Sequence, residues 1–366
     1  MAQVKKSVIS AVASMWMVDM SIADMICPSE FVHNAQQIQY DAYEGSETIA
    51  LKGNFAKQSN VVNKDGYDTI TVNPMEVNES TFDGVKNAGI KRIGETEYGD
   101  MYSGLTEAQI REIEDDMEGF ALLVKRSQRL IKKSIYDVAT TGKLVVSGDG
   151  ETTDEIDYSL TNITVNDNAT AGQYQWNDTT NSNPVEQLEL LAENAKYPIN
   201  TFVIGFEAKK AWVKHPQVTK TDGSGNRANF TPATKEEKMA KSSEYMIYLG
   251  QTNGNYGSSV DVYFEKEKYQ LVKDGAEFYY LDKNYAIGFE MRNPKWMQRH
   301  YGAIPFSKQD GDVVAPDKMG LFVGKELLTK KAYEDPDGIK KRYRTSPLIT
   351  MNQPNAFISV KATLIA

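Results

Sequence analysis

The three histidines and the single cysteine carry the most obvious chemistry, and their spacing does not form a site. His33, His215 and His300 lie far apart along the chain, and none stands at a metal-ligand spacing from Cys27 or from a carboxylate. We therefore expect no zinc site. One cysteine also excludes an internal disulfide and is typical of a protein made in a reducing compartment.

Two short segments resemble ligand-binding loops only as strings of letters. Gly223 to Ala228 fits a dinucleotide fingerprint, but it has neither the preceding strand nor the opening helix that the glycines serve. Glu334 to Asp337 resembles a calcium loop, but Pro336 and the missing downstream ligands break the twelve-residue geometry. Nucleophile-elbow and Walker motifs are also absent. The sequence thus predicts no catalytic residue, no metal ligand, no cofactor and no enzymatic activity.

A basic cluster near the C-terminus is the one patch suited to phosphate or to an acidic neighbour. Its members are Lys330, Lys331, Lys340, Lys341, Arg342 and Arg344. A solvated surface is the simpler interpretation. The formal charge of -9 argues against a sequence-independent nucleic-acid clamp, so we expect any contact with DNA to be weak.

Length and hydropathy place the chain among ordinary globular proteins. With 366 residues and 40% hydrophobic content it can form two or more cores. No apolar run approaches the ~18 residues that span a bilayer. Lys5 and Lys6 precede a short apolar stretch that has the outline of a secretory signal, but serines interrupt it. An amphipathic helix or an arm that lies on a neighbour explains it equally well.

The segment from Ser46 to Thr81 predicts a long hairpin with a polar tip at Asn63 to Gly66. Apolar residues alternate with polar ones on both sides of the tip: Ile49, Leu51 and Phe55, then Ile70 and Val72. An isolated two-stranded ribbon is marginal in water. We therefore expect it to lie on the body of the chain or on an adjacent subunit.

Thr106 to Thr141 is the strongest helix signal. Thr106 and Gln109 form a capping-box pattern, and Gly142 supplies a stop. The start is acidic and the second half is basic, as the helix dipole favours. Apolar residues recur at three- and four-residue intervals: Ile110, Ile113, Met117, Phe120, Val124, Ile131, Ile135 and Val138.

Strands dominate the remainder. Three strands, at 144–146, 156–158 and 163–165, predict a meander beside the helix, and Pro184 begins a second helix at a domain boundary. Thr201 to Phe206 and a helix around Trp212 predict an α/β unit, followed by a flexible insert from Thr219 to Thr234. Further strands are predicted at 245–249, 260–264, 269–272, 278–281 and 286–289.

The closing stretch contains three prolines in an extended run, followed by an alternating segment. Ile358, Val360, Ala362 and Leu364 alternate with polar residues, which predicts a final strand with one apolar face. The motifs Ser346-Pro347-Leu348 and Asn355 to Val360 resemble the end of the lambda-type major capsid protein E family of tailed phages. Similar segments occur in the same order at 69–77, 200–204, 269–288 and 300–304.

This resemblance implies an α+β fold, the Hong Kong ninety-seven-like fold of tailed-phage and herpesvirus shells. It places an N-terminal arm at residues 1–45, an extended β-hairpin loop at 46–100, and a peripheral domain at 101–195 with a spine helix at 106–141. An α/β axial domain then spans 196–320, and C-terminal return strands span 321–366.

The implied function is that of a major capsid protein that self-assembles into hexamers and pentamers of an icosahedral shell. The shell would enclose double-stranded DNA without specific binding, with scaffold, portal and decoration proteins as partners and no membrane. The protein would be made in the host cytoplasm and reside in the virion. Alternatives are a bacterial nanocompartment shell protein of the same fold and a secreted β-rich carbohydrate-binding or adhesive protein. A hydrolase is weakest, because no nucleophile pairs with a base.

Overall fold

The computed structural model describes residues 18–43, 67–72, 77–84, 107–147, 153–170, 172–271, 275–306, 320–334 and 337–364. The helices in these ranges are α1 (Ser21–Ile26), α2 (Glu107–Thr141), α3 (Pro184–Glu193), α4 (Phe206–Lys214), α5 (Pro216–Thr219) and α6 (Lys235–Lys241), with a 3-10 turn at Pro354–Ala356.

The first half of the chain contributes strands β1 (Ser29–Val32), β2 (Ile38–Tyr43), β3 (Tyr67–Val72), β4 (Val77–Gly84), β5 (Lys143–Ser147), β6 (Thr153–Asp157), β7 (Ile163–Val165), β8 (Thr201–Ile204), β9 (Phe230–Pro232) and β10 (Met246–Thr252). The second half contributes β11 (Asp261–Glu265), β12 (Lys268–Gln270), β13 (Glu277–Tyr279), β14 (Tyr285–Phe289), β15 (Met297–Tyr301), β16 (Ile304–Phe306), β17 (Gly320–Phe322), β18 (Leu327–Glu334), β19 (Asp337–Thr345), β20 (Pro347–Met351) and β21 (Ile358–Lys361).

Helix α2 confirms the helix predicted from Thr106 to Thr141, and we call it the spine helix below. Its 35 residues extend about 52 Å at 1.5 Å per residue. Gly142 ends it with a φ of +71°, and its N–H donates to the Val138 carbonyl at 2.9 Å. Only glycine adopts this left-handed conformation at little cost. The predicted capping residue Thr106 lies outside the described residues.

A seven-stranded mixed sheet forms the centre of the molecule, in the order β7-β21-β14-β8-β11-β10-β9. Successive side chains alternate between its faces. Val203, Tyr263 and Ile287 belong to a core that includes Ile135 of α2. Their neighbours Phe202, Val262, Ala286 and Val360 belong to a second core with Leu188 of α3 and Trp212 of α4. The sheet thus separates α2 from α3 and α4.

Smaller sheets surround this centre. Three-stranded sheets have the orders β1-β15-β20 and β18-β19-β4, and two-stranded sheets pair β2 with β3, β5 with β6, β12 with β13, and β16 with β17. The strands predicted between residues 245 and 289 are confirmed as β10 to β14.

The extended ribbon differs from its prediction. Strand β3 pairs with β2 in a register that places Ile38 opposite Val72 and Tyr43 opposite Tyr67. The outgoing strand therefore begins before Ser46, whereas the predicted positions Ile49, Leu51 and Phe55 lie outside the described residues. Thr81, taken as the end of the ribbon, belongs to β4, which pairs with β19 instead.

Part of the predicted arm is integrated in the body. Ile22, Ala23 and Ile26 of α1 are buried in the same core as α2, and β1 pairs in parallel with β15. Apolar residues at a spacing of three and four in α1 explain this placement, because they form one buried face.

Three further predictions were wrong in detail. Strands β5 and β6 pair, but β7 leaves the meander and pairs in parallel with β21. The insert predicted to be flexible contains β9, an edge strand anchored by buried Phe230. The final strand β21 has no solvent face, because Ser359 is as buried as Val360. Contacts with α2 lie on that side.

Candidate functional site

The structure brings two of the three histidines together. Nε2 of His33 lies 2.9 Å from Nδ1 of His300, and Nε2 of His300 lies 3.2 Å from the Thr350 hydroxyl. Burial and the neighbouring His33 imidazole lower the pKa of His300 to about 4. Burial also lowers the pKa of His33. These three side chains connect the segment after β1 to β15 and β20. His33 and His300 are 267 positions apart, which hid the contact from sequence reasoning.

The third histidine has a structural role. Nε2 of His215 lies 3.0 Å from the Ser182 hydroxyl, and its Nδ1 accepts the Gln217 N–H at 3.2 Å. These contacts fix the turn between α4 and α5. Within the described residues, no group of three or more His, Cys, Asp or Glu side chains could hold a metal ion.

A buried charge cluster also escaped the sequence analysis. Lys132 of α2 is fully buried, and its Nζ donates to Oε2 of Glu267 at 2.5 Å and lies 3.3 Å from Oε2 of Glu265. The same ammonium donates to the main-chain carbonyl of Asp19 at 2.5 Å. The Tyr136 hydroxyl donates to Glu265 at 2.8 Å.

The environment of this cluster explains its electrostatics. Burial raises the pKa of Glu265 and of Glu267, while the Lys132 charge acts in the opposite direction. Because the ammonium and both carboxylates satisfy one another away from solvent, the cluster is suited to holding elements together rather than to catalysis. It joins the N-terminal segment, the spine helix and the strand β11.

Two segments resemble ligand-binding motifs in their sequence alone. Gly223 to Ala228 lies in a polar turn between the bridged residues Thr221 and Arg227, followed by β9 rather than by a helix. Glu334 and Asp337 face each other at the end of the β18–β19 hairpin. The proline between them lies outside the described residues. The structure thus confirms a loop rather than a dinucleotide-binding unit at residues 223–228.

The basic cluster is assembled by the β18–β19 register. Lys330 lies opposite Lys341, Lys331 lies opposite Lys340, and Arg344 lies opposite Leu327. Directly opposed like charges destabilise a strand pair. A partner that supplies negative charge would relieve that cost.

Exposed apolar residues mark surfaces suited to partners. Leu122 and Leu130 of α2, Leu271 and Phe278 beside the β12–β13 hairpin, and Ile163 and Val165 of the edge strand β7 are all exposed. Contiguous apolar patches on a folded chain indicate interaction sites. These residues are therefore candidates for contact with a partner.

None of the helices in the described ranges combines the length and the apolar character needed to cross a bilayer. No curated protein matches the chain.

Three solved structures align over most of this chain, and the first of them carries the assignment of the fold. A crystal structure described as a prophage capsid protein from E. coli CFT073 aligns with a TM-score of 0.60 at 15% identity, covering 93% of this chain and 92% of that one. A phage-related protein from Bordetella bronchiseptica RB50 aligns with a TM-score of 0.49 at 6% identity, covering 97% and 96%. A virus-like particle from Pyrococcus furiosus gives 0.42 at 10% identity, covering 98% of each chain.

The family model described as Phage major capsid protein E matches residues 6–362. This match covers the spine helix, the central sheet and the closing strands, and it favours a capsid protein over a secreted adhesive protein or a hydrolase. The protein therefore belongs to the phage major capsid protein E family, with the α+β fold of tailed-phage capsid proteins and the function of a structural subunit of the virion shell.

Proposed function

We propose that copies of this chain assemble through heterologous contacts into hexamers and pentamers that close into an icosahedral shell around double-stranded DNA. In such contacts each subunit offers one surface and receives a different one, which closes rings. Each subunit is then held by several neighbours, so that weak contacts together give a stable shell.

The β2–β3 ribbon is the observation that carries this proposal. Among the described strands, β2 and β3 pair only with each other. Ile38, at the start of β2, is buried in the core that contains α2. Two strands of six residues are marginal on their own, so the rest of the ribbon needs a surface on which to lie. An adjacent subunit supplies that surface in an assembly.

The domain scheme follows from the same proposal. The spine helix and the β18-β19-β4 sheet would form the peripheral domain, and the seven-stranded sheet with α3 and α4 would form the axial domain. Residues 18–38 would belong with the body, which leaves the residues before Val18 as the arm.

Partners beyond copies of the chain also belong to the proposal. A charge of -9 suits a container that holds packed DNA without binding it tightly. Scaffold, portal and decoration proteins would bind the assembled shell. Synthesis would take place in the host cytoplasm, before incorporation into the virion.

Electron microscopy of the overexpressed protein tests the proposal directly. We expect closed shells, tubes or hexameric rings. A monomer that persists at high concentration would contradict it. The purified protein should also show no salt-sensitive retention of double-stranded DNA, since a phosphate-binding surface would give strong salt dependence.

A further inference from the structure

A groove runs between the spine helix and the β12–β13 hairpin. Leu122, Arg126 and Arg129 line it from α2. The hairpin side contributes Lys268, Tyr269, Gln270, Leu271 and Glu277, and the groove has a volume of about 760 Å³. The helical residues follow one another at four- and three-residue steps, which places them on one face.

The groove is partly apolar and open to solvent. Leu122 is 50% exposed and Leu271 is 73% exposed. Leu130 on the next turn of α2 and Phe278 on β13 extend the same apolar character. Covering these side chains would remove apolar surface from water, which is favourable.

Cations outnumber carboxylates among the side chains that line the groove. Its lining has the three cations Arg126, Arg129 and Lys268 against the single carboxylate of Glu277. Lys268 and Glu277 form an ion pair at 2.9 Å, and both arginines are exposed. In a chain with a net charge of -9, such a groove is complementary to acidic surfaces of other copies.

The β5–β6 hairpin has the matching chemistry. Nζ of Lys143 lies 2.5 Å from Oε1 of Glu155 and 3.1 Å from Oδ2 of Asp157. Together these three exposed side chains carry one net negative charge. Val145 lies opposite Glu155 in the register and is 52% exposed. Within the described part of the chain, β5 and β6 pair only with each other.

We propose that the β5–β6 hairpin of one copy docks in the α2/β12–β13 groove of a second copy. Val145 would then pack on Leu122 and Leu271, with the hairpin carboxylates beside Arg126 and Arg129. The contact is heterologous, since the two surfaces are different, and it rests on the proposed function because it supplies one of the contacts between subunits.

Charge reversal tests the pairing. Arg126→Glu with Arg129→Gln reverses the groove, and Lys143→Glu with Glu155→Lys and Asp157→Lys reverses the hairpin while retaining its internal ion pair. Each set alone should lower the yield of assembled particles by about tenfold or more, because like charges then meet at the contact. The two sets combined in one chain should restore particles, because every subunit carries both complementary surfaces.

A matched control separates this contact from a general charge effect. Lys235→Glu with Lys238→Gln makes the same charge change on α6, a helix with no buried residue. This variant should assemble like the wild type. All variants should unfold within a few degrees of the wild type by circular dichroism. If the groove variant assembles normally, or if the combined variant folds but stays unassembled, the proposal is wrong.

A cysteine trap gives an answer that does not depend on shell closure. The native Cys27 is buried. Leu122→Cys combined with Val145→Cys should give a ladder of covalent multimers on a non-reducing gel, whereas each single variant should give none beyond a dimer. A double variant without the ladder would contradict the docking even if wild-type shells form. Absence of wild-type shells would instead contradict the proposed function.

Discussion

The imidazoles of His33 and His300 should make the free energy of unfolding depend on pH in the acidic range. Both have a lowered pKa in the folded chain, and that of His300 falls to about 4, against about 6.5 when unfolded. Between pH 6.5 and 4 the unfolded chain therefore binds protons that the folded chain does not. The free energy of unfolding should fall over this window, by roughly 3 kcal/mol for His300.

Urea denaturation at pH 7, 5.5 and 4.5 measures this effect. His33→Asn combined with His300→Gln should flatten the pH dependence over the window, whereas Thr350→Val keeps both imidazoles and should retain it. The nearest charges on adjoining residues, Arg299 with Asp24 and Glu30, already form ion pairs. An unchanged slope in the double variant would show that other groups cause the loss.

Lys132 should be among the side chains whose removal costs most. Lys132→Met leaves Glu265 and Glu267 buried without their cation, which costs about 3–5 kcal/mol in comparable cases. Adding Glu265→Gln and Glu267→Gln should recover most of the loss. Thermal and urea unfolding give the values.

Lys143→Met is the matched control, because it removes a lysine that also faces two carboxylates but on the surface. Exposed ion pairs contribute little, so its stability should be close to that of the wild type. If Lys132→Met and Lys143→Met have equal free energies of unfolding, burial does not determine how much the Lys132 cluster contributes to stability.

At the level of elements, the end of the spine helix depends on Gly142. A Cβ there would lie 2.3 Å from Cβ of Leu160, and the residue has a φ of +71°. Gly172 has a φ of +83° with open space around its Cβ position. Gly172→Ala should cost about 1 kcal/mol from the left-handed backbone, and Gly142→Ala clearly more. If both variants lose a similar free energy of unfolding in urea, the side chain of Leu160 moves aside at little cost, and the expectation is wrong.

Helices and strands that depend on the pattern of their own residues were predictable from the sequence. Burial and strand pairing that depend on residues far away in the chain were not. The spine helix follows from apolar residues on one face and a glycine stop, all within its own residues. Strand β21 follows from alternation, but the burial of Ser359 does not, because α2 covers that face from more than 200 residues away. A distant partner in the chain also hid the pairing of β7 with β21.

At the scale of the whole molecule, the family motifs predicted the order of the main helices and strands along the chain. The contacts between these elements could be read only from the structure. The buried Lys132 cluster and the His33–His300 pair have no local signature, since each joins residues that lie far apart along the chain. Such contacts help to hold the N-terminal segment after Val18, the spine helix and the central sheet together.

Shortening the ribbon should separate folding from assembly. Because the register places Tyr43 opposite Tyr67, an Asn-Gly turn can replace residues 44–66 and still close the hairpin. We expect this variant to fold, with a melting temperature close to that of the wild type, and to form no shells in electron micrographs. The reason is that a subunit reaches its neighbours through surfaces that its own core does not need.

The matched control shortens a loop elsewhere in the chain. Replacing residues 222–226 with Asn-Gly closes the bridge between Thr221 and Arg227 and removes a polar turn on the surface. That variant should form shells in normal yield, which would tie the assembly defect to the ribbon rather than to loop shortening in general. Normal particles from the chain without residues 44–66 would refute the role of the ribbon as an intersubunit contact, because the same core would then assemble without it.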